Sequence, residues 1–419
     1  MRTLLTTAAV LGVAASILAQ DPPAATPPAR QEAAQPQLQA QGVDLAEDEH
    51  GSMREAMGDA AETLDDWIDN FRLYGFVAAR YLDTEQGGSR PDGALGIQAA
   101  TLFAEADVKD VASAFFELRF DYFQEAGGNQ VDIGEAYIRL RDVLQLTDTT
   151  HLQMKVGRFD LPFGEWYLLE DPNRNRMIGF PALIPYRWDE GAQAFADFGE
   201  WGFNAALTDG TYSRNSQSGI GPAATLRVHA RPHERLYLSA SCLYIHEADQ
   251  SAICFGGSVI TPVAGGIAGT SPNATVRSVL GSLDLKWDAS DAFHLQASAG
   301  TGSVDDDADA FDRTFYWWMF EPSWTFADRW QLTGRYSAVG TFDSDEGYQF
   351  ESRPYEIATQ SYGFDLASLH RVALGVQRTF AKGLLGKVEI GFDQLTAIDP
   401  SGLPDSTRVF TAAELVFTF

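Results

Sequence analysis

Arg119 stands two residues from Glu117 and from Asp121, Arg139 two from Arg141, Lys286 two from Asp284, and Lys387 two from Glu389. In a β-strand that spacing puts side chains on one face. Leu118, Phe120, Leu140, Leu285 and Val388 fall between them and point the other way. A wall with one charged and one apolar face can separate water from hydrocarbon, and its charges can steer or hold ions. A charge set against lipid at mid-membrane costs about 2 to 4 kcal/mol, so charged residues mark the watery side. Sorted by strand parity, the inward bases are Arg72, Arg80, Arg119, Arg139, Arg141, Lys155, Arg227, Lys286, Arg335, Arg371, Lys387 and Arg408. The inward acids are Glu105, Asp107, Glu117, Asp121, Glu135, Asp284, Glu389, Asp393 and Glu414. Twelve bases against nine acids lean toward anions.

The chemistry of catalysis has no comparable signature. The sequence contains no Gly-x-Ser-x-Gly elbow and no phosphate-binding Gly-x-x-x-x-Gly-Lys loop, and His246-Glu247 lacks the second histidine of a zinc pair. No catalytic residues, metal or cofactor are expected. Asp305 to Asp309 with Asp312 cluster hard oxygen ligands, but without the glycine and final glutamate of a calcium-binding loop they read as a solvated loop. Cys242 and Cys254 could close a disulfide in an oxidising compartment or remain two thiols.

The elements that position the charges are strands. From Phe71 to Phe419 apolar and polar residues alternate in segments bounded by Gly, Pro, Asn and Asp. Strands are predicted at 71–82, 94–108, 113–124, 131–142, 151–159, 188–198, 200–208, 223–231, 235–246, 274–287, 293–301, 313–326, 330–341, 369–380, 384–396 and 407–419, sixteen in all. Their connections alternate between long ones of about 6 to 28 residues and short ones of about 1 to 8, the two-sided rule of an outer-membrane barrel. A sandwich or propeller has no reason to keep that rule. The fold class expected is therefore all-β, a transmembrane antiparallel barrel of about 16 strands. Tyr316, Trp317, Trp318 and Phe320 in one strand, with Trp324 and Trp330 beside its turn, suit membrane interfaces.

Ahead of the barrel at 71–419, three segments differ in composition. Residues 1–19, with Arg2, an apolar run from Leu4 to Leu18 and then Ala19, have the layout of a cleaved signal peptide. Residues 20–43 are a Pro/Ala/Gln-rich linker. Residues 44–70 hold ten acidic residues and one arginine. Met53, Met57, Ala60, Leu64 and Trp67 give that acidic stretch helical spacing, and it reads as a periplasmic extension. The chain carries 58 acidic and 30 basic residues, a net charge of −28, which excludes nucleic acid as a natural partner. A mean hydropathy of −0.17 does not exclude a membrane, because barrel strands turn only alternate side chains to lipid.

Two local patterns resemble known families. The chain ends Glu414, Leu415, Val416, Phe417, Thr418, Phe419, similar to the carboxy-terminal signal that barrel-assembly machinery reads. The run Val156, Gly157, Arg158, Phe159, Asp160, Leu161, Pro162, Phe163, Gly164, followed by Gly191 and a strand ending Thr208, Asp209, Gly210, resembles the phosphate-selective (O/P type) porin family. That family would end the hairpin in Asn-Gly. The resemblance implies a homotrimer of sixteen-stranded barrels in the outer membrane, with the third external loop folded into the lumen. Here the loop is Asp160 to Arg187, and its constriction residues are Glu165, Glu170, Asp171, Arg174, Arg176 and Arg187. The implied function is passive diffusion of small hydrophilic solutes, with anions such as phosphate favoured. The alternatives are a structural or adhesive barrel with a blocked lumen, for which segments 247–273 and 342–368 leave room, and an outer-membrane enzyme.

Overall fold

A computed structural model describes residues 70–84, 94–121, 130–165, 171–183, 188–209, 222–249, 254–255, 258–262, 275–306, 313–327, 329–342, 348–355, 358–361, 366–397 and 406–419. The signal peptide, linker and acidic extension expected before residue 70 lie outside these, as does most of the aspartate cluster ending at Asp312.

The strands are β1 (Asn70–Thr84), β2 (Ala94–Val108), β3 (Ala112–Asp121), β4 (Gln130–Gln145), β5 (His151–Asp160), β6 (Trp188–Asp197), β7 (Trp201–Thr208), β8 (Ala223–His233), β9 (Leu236–Asp249), β10 (Cys254–Phe255), β11 (Ser258–Pro262), β12 (Thr275–Asp288), β13 (Phe293–Asp306), β14 (Arg313–Phe326), β15 (Trp330–Thr341), β16 (Tyr348–Tyr355), β17 (Ala358–Ser361), β18 (Leu366–Ala381), β19 (Leu384–Ala397) and β20 (Ser406–Thr418). All but β10, β11, β16 and β17 form a closed antiparallel barrel of sixteen strands, at the positions expected and with ends shifted by a few residues. The four short strands sit in the two long connections, where β11 pairs with β16. None of the four is among the strands expected from the sequence.

The barrel closes where β1 pairs with β20. Gly75 and Phe419 exchange backbone hydrogen bonds of 3.1 and 3.0 Å, so the last residue of the chain completes the seam. A Cβ on Gly75 would lie 2.3 Å from the Thr101 carbonyl oxygen and 2.9 Å from the Phe419 ring, so only glycine fits there.

Parity sorts the wall as the sequence suggests. Leu73, Ile97, Ile138, Leu207, Leu374, Val388 and Leu415 are exposed on the outer face. Trp201, Trp287, Trp324, Phe380 and Phe417 form an exposed aromatic band toward the short-turn rim, where amphipathic rings meet an interface. One aromatic expectation is corrected. Trp317 turns inward with Phe315, and both are buried in the barrel interior, while Trp318 and Phe320 keep the outer face. Cys242 is a free thiol, which answers the disulfide question on its side: its wall neighbours are Leu226 and Gly281.

Candidate functional site

The functional geometry begins where β5 ends. Gly157 has φ +133°, and a Cβ there would lie 2.3 Å from the Ala136 carbonyl oxygen and 2.8 Å from Tyr137 Cα. Glycine is thus required for β5 to approach β4 closely and then send Phe159, Leu161 and Phe163 into the interior. These three pack with Phe180, Leu183, Phe315, Trp317, Leu369 and Leu395 in an apolar layer inside the barrel. Removing this much apolar surface from water holds the connection between β5 and β6 within the lumen.

An irregular segment can be buried only if its peptide groups find partners, and the inward charges of the wall supply them. At the near end, the Gly164 N–H donates to Ser241 Oγ at 2.9 Å. Glu165 accepts from Tyr237 Oη at 2.6 Å, Lys286 Nζ at 2.6 Å and Arg227 Nη1 at 3.0 Å. Burial pushes the Glu165 carboxyl up, but Lys286 and Arg227 outweigh it and hold the group below its ordinary value.

At the far end, Arg335 donates to Gly179 O at 2.5 Å, to Asn175 Oδ1 at 3.0 Å and to Glu321 Oε2 at 2.6 Å. Arg371 makes a two-pronged pair with Asp393, both bonds 2.7 Å, and reaches Phe180 O and Pro181 O at 3.0 and 3.2 Å. Lys387 donates to Asn175 O at 2.9 Å and Met177 O at 3.2 Å, bonds Pro172 O as well, and pairs with Glu414 at 3.1 Å. Glu389 accepts from the Ile178 and Gly179 N–H groups at 2.5 and 2.9 Å, and Ser337 Oγ from the Ala182 N–H at 2.8 Å.

The structure therefore carries the loop across the lumen onto β15, β18 and β19. Of the loop residues singled out in sequence, Glu165 is a buried anchor. Asp171 lies 4.0 Å from Arg119 and 3.4 Å from Arg174, and Arg176 lies 4.0 Å from Glu321. Glu170 and Arg187 lie outside the described residues.

Of the twelve inward bases, nine are expected to border the pore: Arg72, Arg80, Arg119, Arg139, Arg141, Lys155, Arg227, Arg335 and Arg371. They divide. Arg80, Arg335 and Arg371 are at most 3% exposed, Arg80 against Glu414 and the other two against the loop, which corrects their reading as groups bordering open water. Arg119 is also buried, against Glu117 at 2.9 Å and over the Trp188 ring at 4.6 Å. Arg227 is committed to Glu165. Arg72 pairs with Glu105 at 3.0 Å, and Arg141 with Asp107. Only Arg139 and Lys155, among the described inward cations of this group, make no direct ion pair; Glu105 and Asp107 act on Arg139, and Glu135 and Asp160 on Lys155, from farther away. Arg139 donates to Gln153 Oε1 at 2.9 and 2.5 Å and lies 5.3 Å from the Phe195 ring centre, and Lys155 Nζ sits 4.3 Å above the Tyr137 ring. The sequence count of acids missed Glu321 and Asp189, both inward and buried. Glu321 sits beside Pro322 in a strand dominated by aromatic residues, and Asp189 at the very start of β6, so neither announced itself as part of a charged row.

No family model matches the chain, and no curated protein matches it. Solved structures do. The outer membrane channel DcaP of Acinetobacter baumannii is similar at a TM-score of 0.57 and 14% identity, over 84% of this chain and 97% of that one. OmpT of Vibrio cholerae, an outer membrane protein in trimer form, is similar at 0.56 and 12% identity, over 84% and 99%. An anion-selective porin from Comamonas acidovorans is similar at 0.54 and 12% identity, over 84% and 99%. The chain has the fold of an outer-membrane porin. At these identities the likeness speaks to the barrel and its strand order. On the inner wall, charges are either spent on the loop or left without a direct carboxylate partner.

Proposed function

We propose that this chain is an outer-membrane porin through which small hydrophilic solutes diffuse passively, with anions favoured. The observation that carries the reading is a loop folded into the barrel and fixed to the wall by Glu165 at one end and by Arg335, Arg371 and Lys387 at the other. A loop so held narrows a passage to a fixed opening. Water still reaches charged groups on the loop and on the wall, since Arg174 and Arg72 are 43% and 42% exposed in their side chains. The preference for anions rests on Arg139 and Lys155, which make no ion pair among the described residues. Export through the signal peptide at 1–19, recognition of the strand ending at Phe419 by the barrel-assembly machinery, contact with outer-membrane lipid and assembly as a homotrimer belong to the same reading. The phosphate-selective type remains a proposal resting on the Gly157 to Gly164 run.

One observation favours a second reading. The apolar layer of Phe159, Phe163, Phe180 and Trp317 fills part of the interior as a core would, which suits a structural barrel with a closed lumen. Single-channel recording of the refolded protein in planar bilayers under a salt gradient separates the two. The porin reading expects stable current steps, a reversal potential displaced toward that of the anion, and block by added phosphate if the phosphate-selective type is right. Correctly folded protein without conductance would overturn it in favour of the closed barrel.

A further inference from the structure

Arg139 and Lys155 face each other across β4 and β5 as register partners, and neither has a carboxylate within ion-pair reach among the described residues. Their direct contacts are aromatic rings and the Gln153 amide, with Glu135 and Asp160 acting on Lys155 and Glu105 and Asp107 on Arg139 from beyond contact distance. Lys155 lies over the Tyr137 ring, the Tyr137 ring stacks on Phe115 with centroids 5.2 Å apart and planes 22° from parallel, and Arg139 lies against Phe195. The ring row continues from Phe115 to Phe103 at 6.0 Å. Phe115, Tyr137, Arg139, Lys155 and Phe195 are all half-buried, so none is sealed from the lumen.

Two cations set on ring faces are partly stripped of water before any solute arrives. Phosphate keeps its hydration unless many donors replace it, and here Gln153 already occupies two of the Arg139 donors. A carboxylate asks for less: two charge-assisted bonds, one from the free side of the guanidinium and one from the ammonium. If the carboxylate carries an aromatic body, the row beginning at Phe115 offers a stacking surface that phosphate cannot use.

Building on the porin reading, we infer that Arg139, Lys155, Tyr137 and Phe115 form a binding station for aromatic carboxylates on the inner wall. Arg139 and Lys155 hold the carboxylate, and the rings hold its body.

The test uses full-length protein in planar bilayers, with benzoate, acetate and phosphate compared as blockers of the chloride current at pH 7 and equal ionic strength. Benzoate is expected to reach half-block at about a tenth of the concentration acetate or phosphate needs. Lys155→Gln and Arg139→Gln each raise the benzoate concentration required, and Phe115→Leu brings benzoate to the level of acetate. Heat-shifted migration on gels confirms that each variant has folded. Phosphate blocking as well as benzoate, or benzoate block indifferent to Lys155→Gln, would overturn the station while leaving the porin reading intact. If folded wild type carries no current, the porin reading fails, and calorimetric titration of benzoate into the detergent-solubilised protein decides the station alone. Binding weakened by Lys155→Gln supports it, and absence of binding overturns it.

Discussion

Two arcs of the inner wall carry the same residue types and use them differently. From β14 to β20, Arg335, Arg371 and Lys387 are sealed from water, each is matched to a carboxylate, and each spends its remaining donors on loop carbonyls. From β4 to β6, Arg139 and Lys155 keep some exposure and make their direct contacts with an amide and aromatic rings, with no ion pair. An inward cation is therefore not a pore-lining cation by virtue of facing inward. Its partners decide whether it is structural or available, and the loop sets the partners.

The sharpest way to break that contrast is to remove one cation from each arc. Arg371→Ala leaves Asp393 buried without its counter-charge and two loop carbonyls without donors. Such a loss costs about 3 to 5 kcal/mol. Lys155→Ala breaks no ion pair and is expected to change stability by less than about 1 kcal/mol. Denaturant midpoints of the two variants in the same detergent measure the gap. Arg371→Ala should in addition free the loop, giving noisier and larger current steps. Equal destabilisation by the two substitutions would mean that the arcs do not differ as the geometry says.

The strand count and the faces were legible in the sequence because a period of two is local: each segment carries its own alternation, and a lipid-facing charge is costly enough to keep the pattern clean. The motif from Gly157 to Gly164 was legible as a resemblance, and its residues prove to be those that seat the loop, with Gly157 allowing the close approach and Phe159 and Phe163 entering the apolar layer. The split between clamp and open cation was not legible. It depends on contacts between residues about 150 to 210 positions apart, such as Arg335 with Gly179 and Lys387 with Met177, and parity cannot see them. Trp317 misled for a related reason. In a strand with aromatic side chains on both faces, ring chemistry alone does not say which ring meets the interface and which the interior.

The loop's near anchor offers a subtler test, because Glu165 joins it to the wall by charge and responds to pH. Its carboxyl is held below its ordinary value by Lys286 and Arg227 against the opposing effect of burial, so the folded protein binds the proton less readily than the unfolded chain does. The stability this cluster contributes is complete above the unfolded glutamate value of about 4.3 and drains away as pH falls through the lower folded value. Glu165→Gln has no such proton to bind. Wild type is therefore expected to exceed Glu165→Gln in stability at pH 7, and the difference should shrink as pH is lowered, which paired denaturation curves from pH 7 to pH 3 would follow. Carboxylates remote from this cluster titrate alike in both proteins and cancel in the difference. A gap that stays constant or widens on acidification would show that Glu165 holds the loop through its shape and hydrogen bonds alone, and that charge matters only at the clamp of β15, β18 and β19.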